Sequence, residues 1–133
     1  MPRRQQATPT EVELEILHVL WEHQAMTVRE VTDVLNQRRP RAYTSILSML
    51  NIMFDKGLVV REMQGRAHVY RPKKSREKTL GGVVGDLLKR AFHGSTASLI
   101  TPVLEQSKPS AEELKAIRRT IEAWQKEAPE AEE

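Results

Sequence analysis

No cysteine occurs anywhere in the chain. That absence excludes disulfides, thiolate zinc sites and a cysteine nucleophile together, and it fits a reducing, cytoplasmic compartment. Long apolar runs are also missing: nothing approaches the roughly 20 consecutive apolar residues that a bilayer span needs. The opening MPRRQQATPT has arginines but no apolar stretch behind them, so it does not read as a secretory signal. Catalytic signatures are missing too. The histidines, at 18, 23, 68 and 93, are scattered, and the spacing of His18 and His23 is poor for sharing a metal on a helix. No Gly-x-Ser-x-Gly, His-Glu-x-x-His or phosphate loop is present. GGVVG, 81–85, has no strand ahead of it and no Lys-Ser/Thr behind it. The expectation is a protein that is not an enzyme and holds no metal or cofactor.

What is there is a chain of 133 residues, 29% charged and 39% hydrophobic, enough for one domain or two small ones. Net charge is only +3, but it is unevenly placed. Residues 36–74 hold nine Lys and Arg against two Asp and Glu, a local +7, whereas residues 75–133 come to −1. A basic field confined to one segment points to a polyanion partner for that segment.

Capping signals divide the chain into elements. Thr10-Glu11-Val12-Glu13 is a capping box opening a helix over 11–23, with Leu14, Leu17, Leu20 and Trp21 as its stripe and Ile16 beside it. Thr27-Val28-Arg29-Glu30 opens a second helix over 28–36. Pro40 breaks the pattern at Arg39. A third helix, 42–55, puts Ile46, Leu50, Met53 and Phe54 on one face and Thr44, Ser48, Asn51 and Asp55 on another, and Gly57 suits its left-handed end. LVVREM (58–63), Gln64-Gly65 and RAHVYRP (66–72) then read as a β-hairpin. Beyond it the chain reads as helical. Leu80, Val83, Val84, Leu87, Leu88, Ala91 and Phe92 form one stripe. Ser95 caps a helix that Pro102 should kink or delay. Ser110-Ala111-Glu112-Glu113 is a third capping box, ahead of Leu114, Ile117, Ile121 and Trp124. PEAEE at the end is expected to fray.

Three helices followed by a hairpin describe a winged helix-turn-helix, in which the third helix enters the major groove. A groove about 12 Å wide favours short polar side chains on the entering face. Thr44, Ser45, Ser48 and Asn51 are such side chains. Tyr43 stands at the helix start, and Arg41 and Arg39 lie where the DNA backbone would pass. Arg61, Arg66, His68 and Arg71, with Lys73 and Lys74, give the wing cations for phosphate, Arg66 being expected at its tip. The fold class is therefore mainly α with a small β-hairpin: a DNA-binding domain over 8–74 and a helical domain over 75–127. The alternative is a winged-helix protein-interaction module that reads no DNA sequence.

The C-terminal helices carry more apolar surface than they can easily hide within one chain. Pairing two copies would bury Leu80, Val83, Val84, Leu87, Leu88, Leu99, Ile100, Val103, Leu114, Ile117, Ile121 and Trp124, and Gly81 and Gly85 would let helices approach closely. Folding back onto the winged helix is the other way to cover them. Two-fold symmetry would match palindromic DNA, with recognition helices roughly 34–36 Å apart or a multiple of that.

LEILHVLW (14–21), TVREVTDVL (27–35), AYTSILSML (42–50), DKGLV (55–59) and GRAHVYRP (65–72), extended more loosely by SAEELKAIRRTIEAW (110–124), resemble the penicillinase-repressor (BlaI/MecI) family of winged-helix repressors. The resemblance implies a cytoplasmic homodimer on an inverted-repeat operator, with base contacts at Tyr43, Thr44, Ser45 and Ser48. It implies repression of β-lactam-resistance or membrane-peptidase-linked genes, and induction through a membrane sensor protease. Two positions depart from the pattern. Relatives often carry Arg where this chain has Ile52. The family's scissile Asn-Phe bond aligns with Thr101-Pro102, and a bond to proline lacks the amide hydrogen and backbone freedom most proteases rely on. Induction by cleavage there is not expected.

Overall fold

In the computed structural model, which describes residues 8–128, the first three helices arise from the signals read above. α1 (Glu11–His23) and α2 (Val28–Leu35) both begin at full capping boxes, Thr10 with Glu13 and Thr27 with Glu30. α3 (Tyr43–Lys56) ends at Gly57, whose φ of 82° is the left-handed turn that stops a helix without Cβ strain. The loop before α3 is closed by Asn36, whose Oδ1 accepts from the Arg41 N–H at 2.6 Å.

Three strands follow a β1-β3-β2 order and are antiparallel throughout. β1 is Met26–Thr27, β2 is Val59–Gln64 and β3 is Ala67–Pro72. β1 has only two residues, too short to leave a periodic trace in the sequence. Thr27 serves both as a strand residue opposite Val69 and as the cap of α2. The hairpin turn sits one residue later than expected. Gln64 pairs with Ala67, so Gly65 and Arg66 form the turn. Gly65, at φ 66°, takes the first turn position, where a two-residue hairpin of the II′ kind calls for glycine.

The core packs α1, α2 and α3 against the sheet. Ile16, Leu17 and Leu20 meet Val31 and Leu35, and Ile46, Leu50 and Met53 close the other side with Met26, Val59 and Tyr70. Leu14 and Trp21 sit at its margin. Phe54, expected within the buried face of α3, is instead 37% exposed, because its ring lies under the Arg61 guanidinium at 3.9 Å rather than in the core.

Three further helices complete the described chain: α4 (Arg76–Phe92), α5 (Thr96–Ser107) and α6 (Ala111–Glu127). α5 begins at the Ser95 cap and runs through Pro102, so the proline does not delay its start. Ser110 caps α6 by accepting from the Glu113 N–H, but the reciprocal half of the expected capping box is not formed. None of these three helices contains a buried residue within the single chain. The chain divides into two compact units, one ending at Leu87 and the other starting at Leu88. The expected fraying of PEAEE falls outside the described residues. The architecture is a winged helix followed by a helical segment, mainly α with one small sheet.

Candidate nucleic-acid interface

α3 buries one face and leaves the opposite one open. With Ile46, Leu50 and Met53 held in the core, helical geometry turns Thr44, Ser45, Ser48, Asn51 and Asp55 outward, and all five are exposed. Tyr43 heads this row, 39% exposed, with the Arg29 guanidinium stacked 4.8 Å from its ring centre. Arg29 is a cation of the site that the sequence reading passed over. It lies on α2, outside the basic segment, and only the fold brings it to the start of α3.

The start of α3 differs from the others. Every other described helix has a hydroxyl cap: Thr10, Thr27, Ser75, Ser95 and Ser110 each accept from an N–H in the first turn. At α3 the cap position is Ala42, which has no side-chain oxygen to offer. The Ser45 N–H turns back to the Ala42 carbonyl at 3.0 Å, so the Tyr43 and Thr44 amides, with the positive end of the helix dipole, are what this end of α3 offers an outside acceptor, beside Arg29.

At the other end of the exposed face, four side chains join α3 to the wing. Arg61 donates to Asn51 Oδ1 at 3.0 Å while its guanidinium covers Phe54. Tyr70, otherwise fully buried, directs its hydroxyl at the same oxygen, 3.4 Å away. This cluster fixes the wing's first strand against α3. A second anchor is the buried carboxylate of Glu13. Its Oε1 accepts from the Thr10 N–H at 2.9 Å and from Lys56 Nζ at 2.7 Å, tying the end of α3 to the start of α1.

The anticipated cations divide into two groups. Arg41 is held by Glu15 at 2.6 Å, with its side chain largely covered. Arg71 pairs with Glu62 at 3.1 Å on the wing. Arg38, Arg39, Arg66, Lys73 and Lys74 are exposed, and no described ion pair engages them. Arg66 is at the hairpin tip, as its place after Gly65 predicts. His68 is half-buried beside Tyr70, with Nδ1 turned inward and no hydrogen-bond partner among the described residues. The open polar row of α3 thus has cations before it in the α2–α3 loop and after it on and behind the wing.

The stripe residues of the helical segment are exposed or half-buried in the single chain, none fully covered. Val84, Leu87, Ile100, Val103, Leu114, Ile121 and Trp124 are exposed, Trp124 at 70%. Leu80, Val83, Leu88, Leu99 and Ile117 are half-buried. No described helix is long and apolar enough to cross a membrane.

Comparison with known proteins gives a family and several relatives. The model of the family described as "Penicillinase repressor" matches residues 9–123. The transcriptional regulator BlaI of Mycobacterium tuberculosis is 31% identical over 113 residues, covering 84% of this chain and 80% of that protein. The penicillinase repressor of Bacillus licheniformis is 26% identical over 113 residues, covering 85% and 88%. Among solved structures, the solution structure of the DNA-binding domain of the repressor BlaI matches with a TM-score of 0.49 and 28% identity, over 57% of this chain and 90% of that one.

Proposed function

The chain belongs to the penicillinase repressor family, a family of regulators and not of enzymes, and from that premise we propose that it represses transcription as a homodimer on an inverted-repeat operator. α3 is the reading helix. Thr44, Ser45 and Ser48 face base edges, with Tyr43 at the groove wall. Arg29, Arg39, Arg61, Arg66, Lys73 and Lys74 neutralise phosphate on either side. The functional division is 8–74 for DNA and 75–127 for the dimer, whose interface uses the apolar faces of α4, α5 and α6. By family, the regulated genes are those of β-lactam resistance or of membrane-peptidase-linked functions, and the site of action is the cytoplasm.

The observation that carries this reading is the exposed row of short polar side chains on α3, opposite a fully buried one and flanked by cations. Thr44, Ser45, Ser48 and Asn51 keep that face short and able to hydrogen-bond, which suits a groove about 12 Å wide, while the cations stand on the neighbouring segments. Arg41 is better assigned to structure than to phosphate, since Glu15 already engages it. His68 contributes through packing under Tyr70 more than through a free ring nitrogen.

Selection of bound duplexes from random DNA by the full chain tests the reading. The expected product is a palindromic consensus, bound with a log K that falls against log salt by about 0.9 per phosphate contact. Ser48→Glu, at an exposed position, should abolish that binding and leave the oligomeric mass unchanged. Full-strength binding by Ser48→Glu would remove α3 from the groove. Recovery of random sequence with a strong salt slope would leave a nonspecific binder, and no binding at low salt would favour the protein-interaction module.

A further inference from the structure

Ile52 lies on the exposed face of α3, beside its polar row, yet is apolar and 47% exposed. It falls one turn beyond Ser48 and two beyond Ser45, so the three form a ridge along the helix. Around it the outward positions are Ser45, Ser48 and Asp55. Single exposed apolar residues are common on protein surfaces. What sets Ile52 apart is its company: Met49, one turn before it, packs against the core, but on its outward side Ile52 stands between Ser48 and Asp55, on the face that the polar row presents. It also carries no donor, so it makes no phosphate contact of the kind an arginine there would make.

We infer that Ile52 is a specificity-determining residue that reads the C5-methyl group of a thymine in the major groove. The thymine methyl is the one apolar feature that base pairs display on that side, and it distinguishes T·A from the other three pairs. A β-branched side chain is stiff at χ1, so its two branches are presented with little rotamer freedom to lose on contact. Its spacing from Ser48, roughly 6 Å along the helix, puts the thymine about two base steps from the pair that Ser48 faces. Asp55, next on the same face, keeps phosphate at a distance and so favours a base-edge contact over a backbone one. The inference rests on α3 being the groove helix.

Replacing single thymines by deoxyuridine removes only the methyl group, which makes the test direct. Full-length protein and Ile52→Ala are titrated against a duplex selected by the wild-type chain, with uracil placed in turn at each thymine. Burial of one methyl is worth about a fourfold change in affinity. Wild-type binding should weaken by about that factor at one thymine per half-site. Ile52→Ala should bind the unmodified duplex about as weakly as wild type binds the uracil one, and should be indifferent to uracil at that position. Ile52→Val should retain part of the discrimination. Because the residue is exposed, the variants are expected to keep the wild-type melting curve. Identical uracil profiles for wild type and Ile52→Ala would overturn the inference, as would a changed sedimentation mass for Ile52→Ala, which would make Ile52 a protein contact. If no duplex is selected at all, the groove reading of α3 fails first and takes this inference with it.

Discussion

Asn51 illustrates how the fold limits what a single residue can read. Its Oδ1 is occupied by Arg61 and approached by the Tyr70 hydroxyl. The group left to offer is the Nδ2 amide, a pure donor. A pure donor suits a phosphate or a base acceptor, but not the two-point reading of adenine, which takes a donor and an acceptor together. Asn51 is thus better placed to set the angle between α3 and the wing than to select a base. Glu13 has a comparable positioning role at the far end of α3. One carboxylate oxygen caps α1 and holds Lys56, and the side chain is only 2% exposed. Glu13→Ala removes both bonds and leaves the Lys56 ammonium, itself 20% exposed, without its partner. The expected loss is about 2 kcal/mol in urea unfolding, against about 1 kcal/mol for Thr10→Ala, which removes the hydroxyl cap alone. Equal losses for the two variants would show that the tie to Lys56 adds nothing.

At the scale of elements, much of the molecule was written in short local patterns. The two complete capping boxes, the apolar stripes of α1 to α3, the glycine stop and the basic hairpin all stand within a residue or so of their expected places. What escaped were features created by pairing over distance. β1 exists because Met26 and Thr27 lie against Tyr70 and Val69, and Arg29 joins the site because α2 packs across the start of α3. The weak start of α3 was also hidden, because an alanine before a helix looks unremarkable until every other described helix proves to be hydroxyl-capped. That contrast has a measurable consequence. Ala42→Asp supplies the missing cap, and the folded protein should gain about 1 kcal/mol in thermal or urea unfolding. The same carboxylate would occupy the first-turn amides and repel phosphate. DNA affinity should therefore fall as stability rises, most steeply at low salt. Affinity that stayed level while stability increased would mean that no phosphate approaches that end of α3.

For the whole molecule, the decisive quantity is apolar surface that a single chain leaves uncovered. The winged helix closes its own core, with Ile16, Leu20, Leu50, Met53 and Tyr70 essentially inaccessible. α4, α5 and α6 bury nothing completely, although their stripes were readable from spacing alone. The sequence announces such a stripe but not its partner, because periodicity gives the direction of a face and not what covers it. The proposed partner is a second copy of the chain, which would also place two recognition helices for a palindromic operator. Leu87, exposed at 47% on α4, is the residue to test. Leu87→Asp introduces a charge that the single chain tolerates at a solvent-facing position but that a dimer would have to desolvate. Sedimentation should show the variant as a monomer at concentrations where the wild type is dimeric, with its helix content retained. Its salt slope on operator DNA should fall to about half, since each monomer contributes its own set of phosphate contacts. A variant of unchanged mass would exclude Leu87 from the interface, and a monomer that kept the full slope would show that one copy makes all the contacts.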